Sequence, residues 1–166
     1  MDGILGRVVA IVLGLLALAG VGLAGYKAFA TNKSSTVVTD MTQVATNARA
    51  QFSQNNNGYT NFTTANATPL VNAGIIPGDM VRAGGIFDAW GNAVQFAPVA
   101  GNTEGQITFG GGGSETVEQC SHVLTSLTDY VSLVVNGTTF SQANQPDAVS
   151  AANACAGTPK IILTFQ

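Results

Sequence analysis

The chain has 166 residues, and only 9% of them are charged: six Lys and Arg against nine Asp and Glu. No cluster of cations is available to release counterions from a phosphate backbone, so a nucleic-acid-binding role is not expected. After the first 28 residues, about 138 remain, enough for one domain of ordinary size. Abundant Gly, Asn, Ser and Thr with so few charges suit an exported protein that packs against many neighbours.

Taken in chain order, the first predicted element is an uncharged apolar run from Val8 to Tyr26, bracketed by Arg7 and Lys27. At about 1.5 Å per residue it would span roughly 28 Å, close to the thickness of a bilayer's hydrocarbon core. It leads without a linker into Val37, Met41, Val44, Ala48 and Phe52, whose spacing is that of a helical stripe. One long helix is expected, apolar all round in its first half and one-sided in its second. The competing reading is a cleaved secretory signal ending near Ala28-Phe29-Ala30. Asp2 offsets Arg7 in the basic region such a signal needs, and the apolar run is long for a signal core. An uncleaved, ordered helix is therefore the expectation.

Asn55 to Gly58 is expected to end that helix, because Asn and Gly tolerate left-handed backbone. Tyr59 to Gly85 reads as loop with one short helix, with Pro69 at its first position and Gly74 at its C-terminal cap. Ile75 to Gly78 turns. Ala93 to Ala100 and Gln106 to Phe109 read as an antiparallel hairpin turning near Gly101-Asn102. Gly110 to Gly113 reads as a linker too flexible for a regular element.

Ser114 is the expected N-cap of a second helix, with Glu115 and Glu118 in its first turn and Val117, Cys120, Leu124 and Leu127 on its apolar face. Val131 to Val135 and Thr138 to Ser141 flank Asn136-Gly137, a strong hairpin signal. Pro146 is expected to open a third helix that carries Cys155 and stops at Gly157. Lys160 to Gln166 reads as a last strand with Ile161, Leu163 and Phe165 on one face. The order is that of an α+β fold: a long N-terminal helix packed on a head with an antiparallel sheet and short helices. No internal repeat is visible.

Two cysteines, Cys120 and Cys155, allow a single intramolecular pairing. Behind an export-like N-terminus a disulfide is the natural reading, and it would contribute about 3–4 kcal/mol by restricting the unfolded chain. Two buried free thiols are the bland alternative. A zinc site is weaker, because His122 is the only histidine.

Other motifs carry less. Gly20-Val21-Gly22-Leu23-Ala24-Gly25 spells a dinucleotide fingerprint, but inside an apolar helix rather than after a strand. Gly14, Gly20, Gly22 and Gly25 are better read mechanically: each weakens the helix by about 1 kcal/mol and allows close helix–helix approach or local unwinding. Asp2, in an apolar bundle, would need a cationic partner such as the N-terminal amine of a neighbouring chain. A solvated or headgroup-facing carboxylate is the equal alternative. His122, Cys120 and Asp129 share one expected helix, yet residues two apart diverge, and no G-x-S-x-G motif is present. No catalytic, cofactor or metal residue is assigned. The sequons at Asn61, Asn66 and Asn136 arise readily by chance in so Asn- and Thr-rich a chain.

With these elements in order, the chain resembles a type IV pilin, closest to the type IVb class. The apolar half of a helix starting at the N-terminus carries the resemblance. So does the stretch Gly58-Tyr59 through Leu70, Gly74, Ile76 and Pro77, which looks like an αβ-loop. Phe87-Asp88-Ala89-Trp90-Gly91-Asn92 is similar to the D-P-W-G-N stretch of pilins and type II secretion pseudopilins, with Ala89 where Pro is usual. Cys120 and Cys155 are placed like the family's C-terminal disulfide. The resemblance implies residues 1–28 as a membrane and filament-core half-helix and 29–166 as the head. It implies assembly through Met1, Asp2, Leu5, Arg7 and the four glycines, with Met1 a processed, N-methylated end. Leu5 stands where the family carries Glu, so Asp2 would take over that charge pairing or the pairing would be absent. The implied partners are identical subunits, the inner membrane before assembly, and assembly machinery with its ATPases. A minor pilin or pseudopilin is the nearest alternative, and a membrane-anchored periplasmic binding protein or enzyme the alternative of another class.

Overall fold

A computed structural model describes residues 28, 29 and 31–166. Contacts divide the chain into Met1–Asn32 and Lys33–Gln166, and the second unit is the head. Its first element, α1, covers residues 33–52. Val37, Met41, Val44 and Ala48 are fully buried, as their spacing predicted, while Phe52 is half-buried. The opposite face carries Ser35, Thr36, Thr39, Thr42, Gln43 and Thr46, all exposed. A helix this rich in β-branched Thr has modest intrinsic propensity, so packing of the buried stripe holds it. Beyond the last turn, Ser53 Oγ adds a bond of 2.5 Å to Arg49 O, which also accepts from Ser53 N–H, and Asn55 Nδ2 donates to Gln51 O at 2.7 Å, satisfying a carbonyl of the last turn.

The segment from Tyr59 to Gly85 is more structured than a loop. α2 (Ala67–Asn72) opens two residues earlier than expected, leaving Pro69 at its third position. The ring is tolerated there because the first turn's N–H groups have no intrahelical acceptor. Gly74 ends α2 with φ +72°, its N–H bonding Val71 O while Ile75 N–H bonds Leu70 O. That pair of bonds is a Schellman closure. Two short paired strands follow, β1 (Val81–Arg82) and β2 (Gly85–Ile86), which the sequence did not signal.

The main sheet contains β3 (Gln95–Val99), β4 (Glu104–Gly110), β5 (Ser132–Val135), β6 (Thr138–Phe140) and β7 (Lys160–Phe165). Its order is β3-β4-β7-β5-β6, antiparallel throughout, so the last strand in sequence lies at the centre. Pro98 sits on edge strand β3, where its missing N–H is harmless. Both predicted hairpins form. Asn136 and Gly137 take φ +48° and +85° between β5 and β6, as a primed turn requires. Ile107, Phe109, Leu133, Val135, Ile161, Leu163 and Phe165 point into a single core shared with the stripe of α1. Gly105 faces the Phe165 ring, and a Cβ there would lie 2.7 Å from it.

α3 (Val117–Ser126) begins at Thr116, not at Ser114. Thr116 and Gln119 form a capping box, the reciprocal pair that outcompetes a lone serine. Cys120, Leu124 and Leu127 are buried as predicted, but Val117, the first residue of the helix, is 43% exposed. α4 (Ala148–Ala154) is capped by Asp147, so Pro146 lies just outside it, and Cys155 forms its C-cap.

Candidate functional site

The segment 87–92 folds as a turn around one carboxylate. Asp88 is fully buried. Its Oδ1 accepts from the N–H groups of Trp90 (3.0 Å) and Asn92 (2.8 Å), and its Oδ2 from Gly110 N–H (3.0 Å). Gly91, at φ +95°, completes the turn by donating to Asp88 O. A second buried acid stands beside it. Glu115 accepts from Gly111 N–H at 2.6 Å and from Asn92 Nδ2 at 3.0 Å. Asn92 thus bridges both acids, its Nδ2 also lying 3.4 Å from Asp88 Oδ2. Backbone amides, not cations, meet these charges.

The glycine run is therefore not a loose linker. Gly110 is the last residue of β4, and Gly111 is fixed by Glu115. An added Cβ at Gly110 would meet Pro159 O at 2.7 Å, and one at Gly112 would meet Asn92 Oδ1 at 1.9 Å. The run is glycine because the backbone passes too close to its neighbours for side chains. Glu115, expected in the first turn of α3, instead turns inward to this node.

Asp40 lies in the buried stripe of α1. Burial, then the charges of Asp79 and Asp88, push its carboxyl up to about 6, against a smaller opposing pull from Arg82. Arg49, nearer the end of α1, donates from Nε to Gln166 O (2.8 Å) and from Nη1 to Asp129 Oδ2 (3.0 Å), and its guanidinium sits over the Phe165 ring. Asp129, at φ +61°, lies beyond the end of α3 rather than on it. His122 is exposed, so it, Cys120 and Asp129 are not brought together.

Cys120 and Cys155 are joined in a disulfide across 35 residues, tying α3 to the end of α4, with both sulfurs buried. Among the described residues no group of His, Cys, Asp or Glu could hold a metal ion, and no helix is long and apolar enough to cross a membrane. The expected apolar span, with Met1, Asp2, Leu5, Arg7, Gly14, Gly20, Gly22 and Gly25, lies outside the described residues. The Asp88–Asn92–Glu115 node was missed as a unit. The motif at 87–92 was visible in sequence, but its bond to Gly110 spans 22 residues.

The helix-first, antiparallel head with its Cys120–Cys155 bridge can be set against known proteins. The family model described as PilS N terminal matches residues 31–166. The chain belongs to the PilS N-terminal family. Among solved structures, the head is similar to the type IVb pilin from Salmonella typhi, with a TM-score of 0.63 at 22% identity over 80% of this chain and 99% of that one. It is also similar to TcpA, a type IV pilin from Vibrio cholerae El Tor biotype, with a TM-score of 0.53 at 16% identity over 81% and 98% of the two chains. Comparison with curated protein sequences returns no match. The fold of this family member is the type IVb pilin fold expected from its sequence.

Proposed function

We propose that this protein is a structural subunit of a type IV pilus, polymerising through its apolar N-terminal half-helix. The observation that carries the reading is the likeness of the head to two pilins over nearly the whole of each, 99% and 98%. The chemistry is physical rather than catalytic. Residues 1–28 would hold the monomer in the inner membrane and then exchange lipid for a bundle of identical helices. The apolar side chains are sheltered in both places, so packing and polar pairing decide the exchange. Gly14, Gly20, Gly22 and Gly25 let such helices approach and bend, and, with Leu5 uncharged, Asp2 and Arg7 are the charges at the start of the chain that would enter such pairing. Met1 is the processed, N-methylated terminus in this reading. Residues 29–166 face outward in an extracellular filament serving adhesion, aggregation, motility or conjugative DNA transfer, with ATPases and assembly proteins as partners.

Electron microscopy of sheared surface material tests it. Abundant fibres about 60–80 Å wide, labelled by antibody to the head, are the expected result for one long helix plus a head. Labelled protein that stays in the membrane fraction, with no fibre, would overturn it.

A further inference from the structure

A cleft of about 510 Å³ opens where the turn after α1 meets the β3–β4 hairpin. That volume lies within the roughly 300–1,000 Å³ of small-molecule clefts. No Asp, Glu, Lys, Arg or His side chain lines it; the walls are side-chain amides, hydroxyls and glycine backbone, with Gln166 at one margin. The side-chain amides of Asn56, Asn57 and Asn102 make no hydrogen bond within the protein among the described residues, since the bonds of Asn57 and Asn102 go through their backbone carbonyls. Tyr59, also in the lining, is 1% exposed, and its hydroxyl has no protein partner.

The cleft is held rigidly. Tyr59 N–H donates to Asn102 O at 2.8 Å, locking the two walls together. A Cβ on Gly58 would lie 2.2 Å from that same oxygen, so only glycine permits the approach. The opposite wall runs through Gly101 and Asn102, in left-handed backbone at φ +67° and +70°.

We propose that this cleft binds a neutral saccharide. A carboxamide donates and accepts at once, as does a sugar hydroxyl, so free Asn side chains on rigid walls match a ring's alternating hydroxyls. An anionic ligand would have to surrender solvation without finding a cation in this lining. A peptide anchored by apolar side chains would find no apolar pocket in this lining. The site stands whether or not the chain polymerises.

The test uses the full chain in a sugar-free zwitterionic detergent. Saturation-transfer NMR and calorimetry are run with chitotriose, maltotriose and N-acetyllactosamine, and with 3′-sialyllactose as the charged comparator. Binding of at least one neutral sugar with Kd of about 0.1–5 mM is expected, as befits a few hydrogen bonds in an open cleft. The double variant Asn57→Ala with Asn102→Gly should weaken it about tenfold or more, equivalent to roughly 1.4 kcal/mol. Glycine suits the backbone at 102, so thermal stability should persist. Asn56→Asp, on an exposed turn, gives a second variant with the same expected loss. No binding by any neutral sugar up to about 20 mM, equal binding by the variants, or equal binding of the sialylated sugar would each overturn the proposal.

Discussion

The head's two sides are fixed by different chemistry. Between residues 87 and 115 the backbone is held by two buried acids that collect N–H groups from segments far apart in sequence. Between 117 and 155 the corresponding closure is covalent, through Cys120 and Cys155. The contrast shows that a glycine-rich, irregular stretch can be as well determined as a disulfide-closed one, provided each carboxylate oxygen finds donors. It also shows which conditions reach each side: reductant touches only the second.

The largest effect is expected from removing the centre of the first side. Asp88→Ala leaves the N–H groups of Trp90, Asn92 and Gly110 without their acceptor inside the protein, and should cost about 3–5 kcal/mol. Denaturant titration of the full chain measures it, and a loss below about 1 kcal/mol would mean that the node is ornamental. The second side should respond less. Cys120→Ser with Cys155→Ser, or reductant on the native chain, should lower stability by about 2–4 kcal/mol. Hydrogen exchange should then show loss of protection in α3 and α4 while Gly110 and Gly111 stay protected. Equal loss at both sides would show that they are not independent.

The smallest effect concerns Asp40, a buried acid outside the Asp88 bonding network. Its folded pKa, about 6, lies above the ordinary 3.8, so the folded state favours the protonated form. The associated stability is fully present below about pH 4 and is lost as pH rises through about 6. Asp40→Asn should therefore stabilise the head by about 1–2 kcal/mol at pH 8, after discounting for solvent screening and for Arg82 nearby, and by nothing near pH 3.5. Thermal melts of both proteins across that range check the sign. A stabilisation that does not shrink on acidification would place the effect in packing rather than in charge.

Much of this architecture is legible in the chain because its signals are local. The spacing of Val37, Met41, Val44 and Ala48, the alternation of Ile161, Leu163 and Phe165, and Asn136-Gly137 each depend on a few neighbouring residues. What escaped depends on distant partners. Ser114 is a good N-cap in isolation, yet Thr116 wins through Gln119. Gly110 to Gly113 looks flexible until Asp88, Asn92 and Glu115 are folded against it. Asp129 sits in an apparently helical stretch but turns out to meet Arg49, 80 residues earlier. Val81–Arg82 and Gly85–Ile86 are too short to show a period at all.

The central place of β7 has a consequence for how the head is made. The β3–β4 and β5–β6 hairpins share no hydrogen bonds with each other; residues 160–165 lie between them and pair with both. Each hairpin can close early, as local contacts do. The sheet cannot become one body until residues 160–165 are in place, so completion of the head is a late, all-at-once step of folding.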